Sequence, residues 1–181
     1  MRDVHRRLRE ETADAHGAIE KVALATGFLH DPLAYGRYLA ALHGFYRGVE
    51  DALARVPDLE RWLPDLAMRR KTGWLADDLR ALAIAAPPDR FEAHVPDVAA
   101  ALGIAYVTEG ATLGGRWILA HLATSIPLAA RRFFAGYGPE TRARFLAYCK
   151  AVEEHREHGA IASAAVQTFR DMQTWIATAF P

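Results

Sequence analysis

Cysteine is almost absent from this chain of 181 residues. Its one thiol, Cys149, excludes a disulfide framework and a thiolate zinc site, and such usage suits a reducing cytosol. An excess of either charge is missing too. Lys and Arg number 22, as do Asp and Glu, which argues against a general binder of nucleic acid or other polyanions. No stretch shows sustained period-two alternation of β-branched residues, so no strand is predicted. Neither G-x-G-x-x-G nor a P-loop occurs, and GATLGG at 110–115 satisfies neither pattern, so no nucleotide or flavin site is visible. H-E-x-x-H and E-x-x-H are absent as well, the ligand patterns of helical zinc proteases and ferritin-like di-iron bundles. The opening MRDVHRRLREET lacks the apolar core of a signal peptide. The longest apolar run, Gly103 to Ala130, is interrupted by Glu109, Arg116 and Pro127 and is not predicted to span a membrane.

What remains is helical. Leu8, Thr12, Ala15, Ile19 and Val22 share a face in a helix over 4–25, which Gly27 stops. Asp31 and Pro32 open a second helix as N-cap and first residue, and it runs to near Pro57. Residues 58–66 are short and broken by Pro64. A third helix is expected over about 67–85, ended by Pro87 and Pro88. Pro96 opens a long helix that ends before Pro127. A short piece follows at 128–134, then a helix from Pro139 to a stop at Gly159, and a last one over 160–179. The hydrophobic fraction of 51% and charged fraction of 24% suit one globular domain over 1–181. The fold class is all-α, a compact helical bundle.

The helix after Pro96 carries three glycines, Gly110, Gly114 and Gly115, where a helix tolerates them least. Each costs about 1 kcal/mol against alanine. Tyr106, Gly110, Gly114 and Trp117 recur at spacings that place them on one face. Close packing of a neighbouring helix, a kink, or a large flat ligand approaching the backbone would each account for them.

His16 lies beside the apolar stripe of the first helix, with Glu20 one turn later. A carboxylate at that spacing can accept one ring N–H, fix the tautomer and leave the other nitrogen free for a metal. As an ordinary helix-surface pair it contributes only a few tenths of a kcal/mol. His155 and His158 lie among glutamates at a predicted helix end and read as a solvated face. Cys149 has no base partner nearby and reads as a buried structural thiol. His5, Arg6, Arg7 and Arg9 suit a phosphate or carboxylate contact, though such clusters, like Arg69, Arg70 and Lys71, are ordinary on soluble helices.

Together, LREETADAHGAIE (Leu8 to Glu20) and YVTEGATLGGRWI (Tyr106 to Ile118) resemble the heme oxygenase family, the second most closely its bacterial, biliverdin-producing, bacteriophytochrome-associated branch. RRKTGWLADDL (Arg69 to Leu79) and FRDMQTWI (Phe169 to Ile176) are looser similarities in the same order. The resemblance implies a bundle with heme between a proximal and a distal helix. His16 would be the axial iron ligand, Glu20 its support, and Arg9 and Tyr106 contacts to the heme propionates. Gly110, Gly114 and Gly115 would form the distal wall, and Lys150 or Arg144 a second basic propionate contact. Where mammalian members have a distal aspartate, this chain has Ala111.

The implied activity is oxidative cleavage of heme to biliverdin, carbon monoxide and ferrous iron, with heme as both substrate and cofactor. It would use O2 and electrons from an external reductase or ferredoxin, in the cytoplasm, with a bacteriophytochrome as one acceptor of biliverdin. The main alternative is a non-catalytic heme binder on the same fold, motivated by Ala111. Thiaminase-like or di-iron relatives and a plain interaction domain stand further behind.

Overall fold

The computed structural model describes residues 2–180. Six helices of ten residues or more dominate it: α1 (Arg2–Ala25), α2 (Pro32–Leu53), α4 (Thr72–Ala81), α5 (Val98–His121), α7 (Thr141–His155) and α8 (His158–Thr178). Two single turns, α3 (Leu59–Trp62) and α6 (Arg132–Ala135), complete the set, and no strand occurs among the described residues. The all-α expectation therefore holds.

Local chemistry fixes the helix starts. Asp31 caps α2, its side chain accepting the Leu33 N–H at 2.9 Å, with Pro32 in the first turn. Asp97 does the same for α5 through Ala100 N–H at 2.8 Å. By length and composition α5 could cross a membrane, but most of that apolar window is buried inside the protein, as in the core helix of a bundle.

Two expected boundaries move. The helix anticipated over 67–85 begins only at Thr72, after a 3-10 turn (Leu66–Arg69) and an extended Arg70. The Glu50 carboxylate on α2 explains the break: it accepts the Lys71 N–H at 2.5 Å and the Thr72 hydroxyl at 2.6 Å, holding the chain where α4 starts. Likewise α7 ends not at Gly159 but at Arg156, in the left-handed region at φ 69°, and Gly159 lies in the first turn of α8. His155 and His158 are consequently half-buried rather than a solvated face. His155 meets the Trp62 ring edge-on, and His158 Nε2 lies 3.1 Å from the Val152 carbonyl.

Helix α8 lies against both α5 and α1 and forms the floor between them. The main core surrounds this triplet and α2, with Tyr35, Phe45, Tyr46, Leu102, Tyr148 and Ile161 wholly or almost wholly buried. Cys149 belongs to that core; burial pushes its thiol up to about 11, as expected of a structural cysteine.

Candidate functional site

The segments carrying α1 and α5 come together at two places. At one end the Tyr106 phenol lies beside the Thr12 hydroxyl, which donates to the Leu8 carbonyl at 2.7 Å. Seventeen residues further along each segment, Ala123 N–H donates to the Leu29 carbonyl at 2.8 Å. The two segments thus run in the same direction, meeting beside Tyr106 and again just past the ends of both helices; the space between these contacts is called the slot. Between the joints lies a stretch of α5 roughly 22 Å long at 1.5 Å per residue. Phe169 of α8 lies beneath, its ring edge-on to His16 at 5.3 Å and to Tyr106 at 6.4 Å between centroids.

Each wall of this slot has its own chemistry. On α1, His16 is 52% exposed at its side chain, with Glu20 Oε2 3.7 Å from its Nδ1. At that distance the carboxylate is a neighbour of Nδ1 beyond hydrogen-bond reach, and Nε2 is the ring nitrogen away from it. On α5, Gly110 and Gly114 have open space where a side chain would stand: a Cβ added at either meets nothing within 4 Å. The backbone is bare there, and a flat ligand can approach it as closely as helix geometry permits. Beyond the glycines, Trp117 is 52% exposed and stacks on His121 with centroids 4.1 Å apart. Tyr106 closes the opposite end, its phenol pushed up by burial, with Arg9 near enough to act on it electrostatically.

Gly115 does something else. A methyl there would collide with the Phe134 carbonyl oxygen, so this glycine admits the backbone of α6 and not a ligand. Helix α6 is itself fixed by Asp78 on α4, whose carboxylate accepts Arg132 N–H at 2.7 Å and Phe133 N–H at 2.8 Å. The three glycines therefore divide into two that face the slot and one that packs behind it. None interrupts the helix, which runs unbroken from Val98 to His121.

His16 and Glu20 on α1 and Gly110 and Gly114 on α5 lie on the stretches between the two contacts, with Arg9 and Tyr106 at the Thr12 end. The structure does not join Lys150 to them: that side chain is 71% exposed on α7, 3.7 Å from Glu154. Arg144 is committed to Asp65 at 3.1 Å and Glu140 at 2.9 Å. Ala111 is exposed and brings no polar group.

Behind the slot lies a feature that the sequence did not reveal. Glu109, only 2% exposed, accepts from Arg69 Nη1 at 2.7 Å, Lys71 Nζ at 2.7 Å and the Tyr137 hydroxyl at 2.9 Å. Lys71 is 1% exposed, and burial holds its ammonium below the usual lysine range despite Glu109. The expected ordinary surface run of Arg69, Arg70 and Lys71 is thus corrected: only Arg70 faces solvent, paired with Asp51 at 2.8 Å. No group of three or more His, Cys, Asp or Glu side chains able to hold a metal occurs among the described residues, so a metal here would arrive within its own ligand.

The chain is an all-helical bundle with an exposed histidine on α1 and a stretch of α5 bare of side chains at Gly110 and Gly114. The heme oxygenase family model matches residues 2–177. Among solved structures, the heme oxygenase of Neisseria meningitidis, determined with NO and CO bound, aligns with a TM-score of 0.76 and 18% identity. That alignment covers 97% of this chain and 89% of the other, and shows the shared fold. No curated protein matches the sequence significantly. The chain belongs to the heme oxygenase family, whose general function is the degradation of heme.

Proposed function

We propose that heme enters the slot between α1 and α5, with His16 Nε2 as its axial ligand, and is cleaved there to biliverdin, carbon monoxide and ferrous iron. One observation carries this reading: Gly110 and Gly114 leave open space where side chains would stand, on the stretch of α5 that runs between the same two contacts as the exposed His16–Glu20 pair. The donor set fits. A neutral imidazole is the proximal ligand of many heme proteins, and Nε2 is the ring nitrogen that does not neighbour Glu20.

Heme in this position supplies the iron that activates O2. The chain's own residues bind, orient and confine. Arg9 and the Tyr106 end of the slot offer positive charge and a phenol to the propionates. Phe169 braces the His16 ring from the edge and limits its rotation. Without side chains at Gly110 and Gly114, the α5 backbone would let the flat ligand approach closely and would confine what binds between them. Ala111 provides no carboxylate, so protons reach this face through water held by backbone groups. Electrons come from a separate reductase or ferredoxin, because the sequence carries no flavin or iron–sulfur motif. The setting is cytoplasmic, and a bacteriophytochrome is one acceptor for the product.

The test is addition of hemin to the purified protein, then reductant in air. A Soret band followed by a biliverdin band is expected; absence of both sinks the reading. His16→Ala should abolish the iron–histidine band in resonance Raman, and an unchanged band would assign the ligand elsewhere, with His43 or His121 next to examine. Ala111 favours a second reading, a heme binder without turnover, for which the Soret band forms and biliverdin does not.

A further inference from the structure

Glu109 and Gly110 are consecutive, yet one is among the most buried charged residues and the other begins the bare face of α5. The Glu109 carboxylate is gripped by groups from two other segments: Arg69 and Lys71 ahead of α4, and Tyr137 after α6. Those partners are themselves fixed. Arg69 Nε donates to Asp65 at 2.6 Å, and Lys71 Nζ donates to the Arg69 carbonyl at 2.9 Å. The Tyr137 ring lies edge-on to Trp74 at 5.2 Å, with the Arg144 guanidinium 4.8 Å from its centroid.

Such a cluster is a poor way to gain stability. Well-packed apolar residues of similar volume are often as stabilising as a buried ion pair, because desolvation offsets the attraction. What charged hydrogen bonds add is direction: three fixed donors hold the accepting carboxylate in one place only. The need for direction is local. Gly110 and Gly114 have nothing packed on their open side, so contacts from behind must set where that backbone lies. Two contacts bracket it, the Glu109 cluster before Gly110 and the Phe134 carbonyl against Gly115 after Gly114.

We infer that Glu109 is a positioning residue: held by Arg69, Lys71 and Tyr137, it fixes the height of the Gly110–Gly114 backbone above the slot and thereby the geometry of the distal face toward heme. The inference rests on the proposed heme site, but its first test does not need heme. In the heme-free protein, Glu109→Gln should speed amide exchange of residues 110–115 by about tenfold or more while leaving the core of α8 unchanged. In the heme-loaded protein with CO, the same variant should shift the Fe–CO stretching band and leave the iron–His16 band in place. Tyr137→Phe removes one of the three hydrogen bonds and keeps the ring, so it should give smaller changes in the same direction if Glu109→Gln does not fold. Uniformly faster exchange across all helices with an unmoved Fe–CO band would reduce Glu109 to a structural role and overturn the inference. If wild-type protein takes up no hemin while the local exchange effect appears, the heme reading fails and the clamp on α5 stands.

Discussion

The two halves of α5 are built on opposite rules. From Ala101 to Glu109 every residue is buried, whereas from Gly110 to His121 only Thr112 and Gly115 are. The first half is a core helix whose position follows from packing on all sides. The second is a wall, packed behind and open in front. Its helix propensity is poor and its exposed surface includes Leu113 and Trp117, a combination that costs stability in the isolated protein. The difference teaches that one helix can join a fully packed stretch to one left largely open, the change falling between Glu109 and Gly110.

The largest test of that division is Glu109→Ala. It strands Arg69 and Lys71 without their shared carboxylate, and unfolding measured by denaturant should show a loss of about 3–5 kcal/mol. A loss below about 1 kcal/mol would show that the buried half does not depend on this cluster. Gly115→Ala comes next: the new methyl meets the Phe134 carbonyl, and overpacking of this kind costs about 1–3 kcal/mol. Gly110→Ala should have the opposite sign. Its methyl enters open space, so the heme-free protein gains up to about 1 kcal/mol, read as a higher Tm. Opposite shifts for Gly115 and Gly110 would sharpen the comparison, and equal shifts would break it.

The smallest effect belongs to pH. His43 on α2 is buried with Nδ1 unpartnered among the described residues, and burial, then Arg47, holds its imidazole below 6.5. The folded state therefore binds that proton more weakly than the unfolded chain. This contribution to stability is full above pH 6.5 and is lost as pH falls through that value to the folded pKa. His43→Phe should flatten part of the decline in Tm below pH 6.5; His5, shifted the same way by burial and Arg9, keeps the remainder. An unchanged slope would assign the acid sensitivity to other groups.

Much of this was legible in the chain itself. Asp31–Pro32 marks a helix start by local chemistry, and the spacing of His16 to Glu20 and of Gly110 to Gly114 places each pair on one helix face whatever the tertiary fold. The separate duty of Gly115 was only half visible. One residue turns a helix by about 100°, so Gly114 and Gly115 cannot share a face, but nothing in the sequence names Phe134 as the neighbour. The Glu109 cluster was not legible. Its ion pairs join residues 38 and 40 positions apart, and Arg69–Arg70–Lys71 has the composition of any solvated turn. Phe169 is similar: its place between His16 and Tyr106 depends on how α8 lies across two other helices. Its only trace was the loose similarity of FRDMQTWI.

The central claim is that the open half of α5 faces heme held from His16. Hemin titration of Gly114→Leu beside wild type, followed at the Soret band with Tm recorded on the same heme-free samples, tests it most directly. The account predicts a heme-free protein at least as stable as wild type that binds hemin much more weakly, because the side chain fills the slot. Unchanged hemin affinity at unchanged or raised Tm would contradict it, and would leave the bare backbone of Gly110 and Gly114 facing something other than heme.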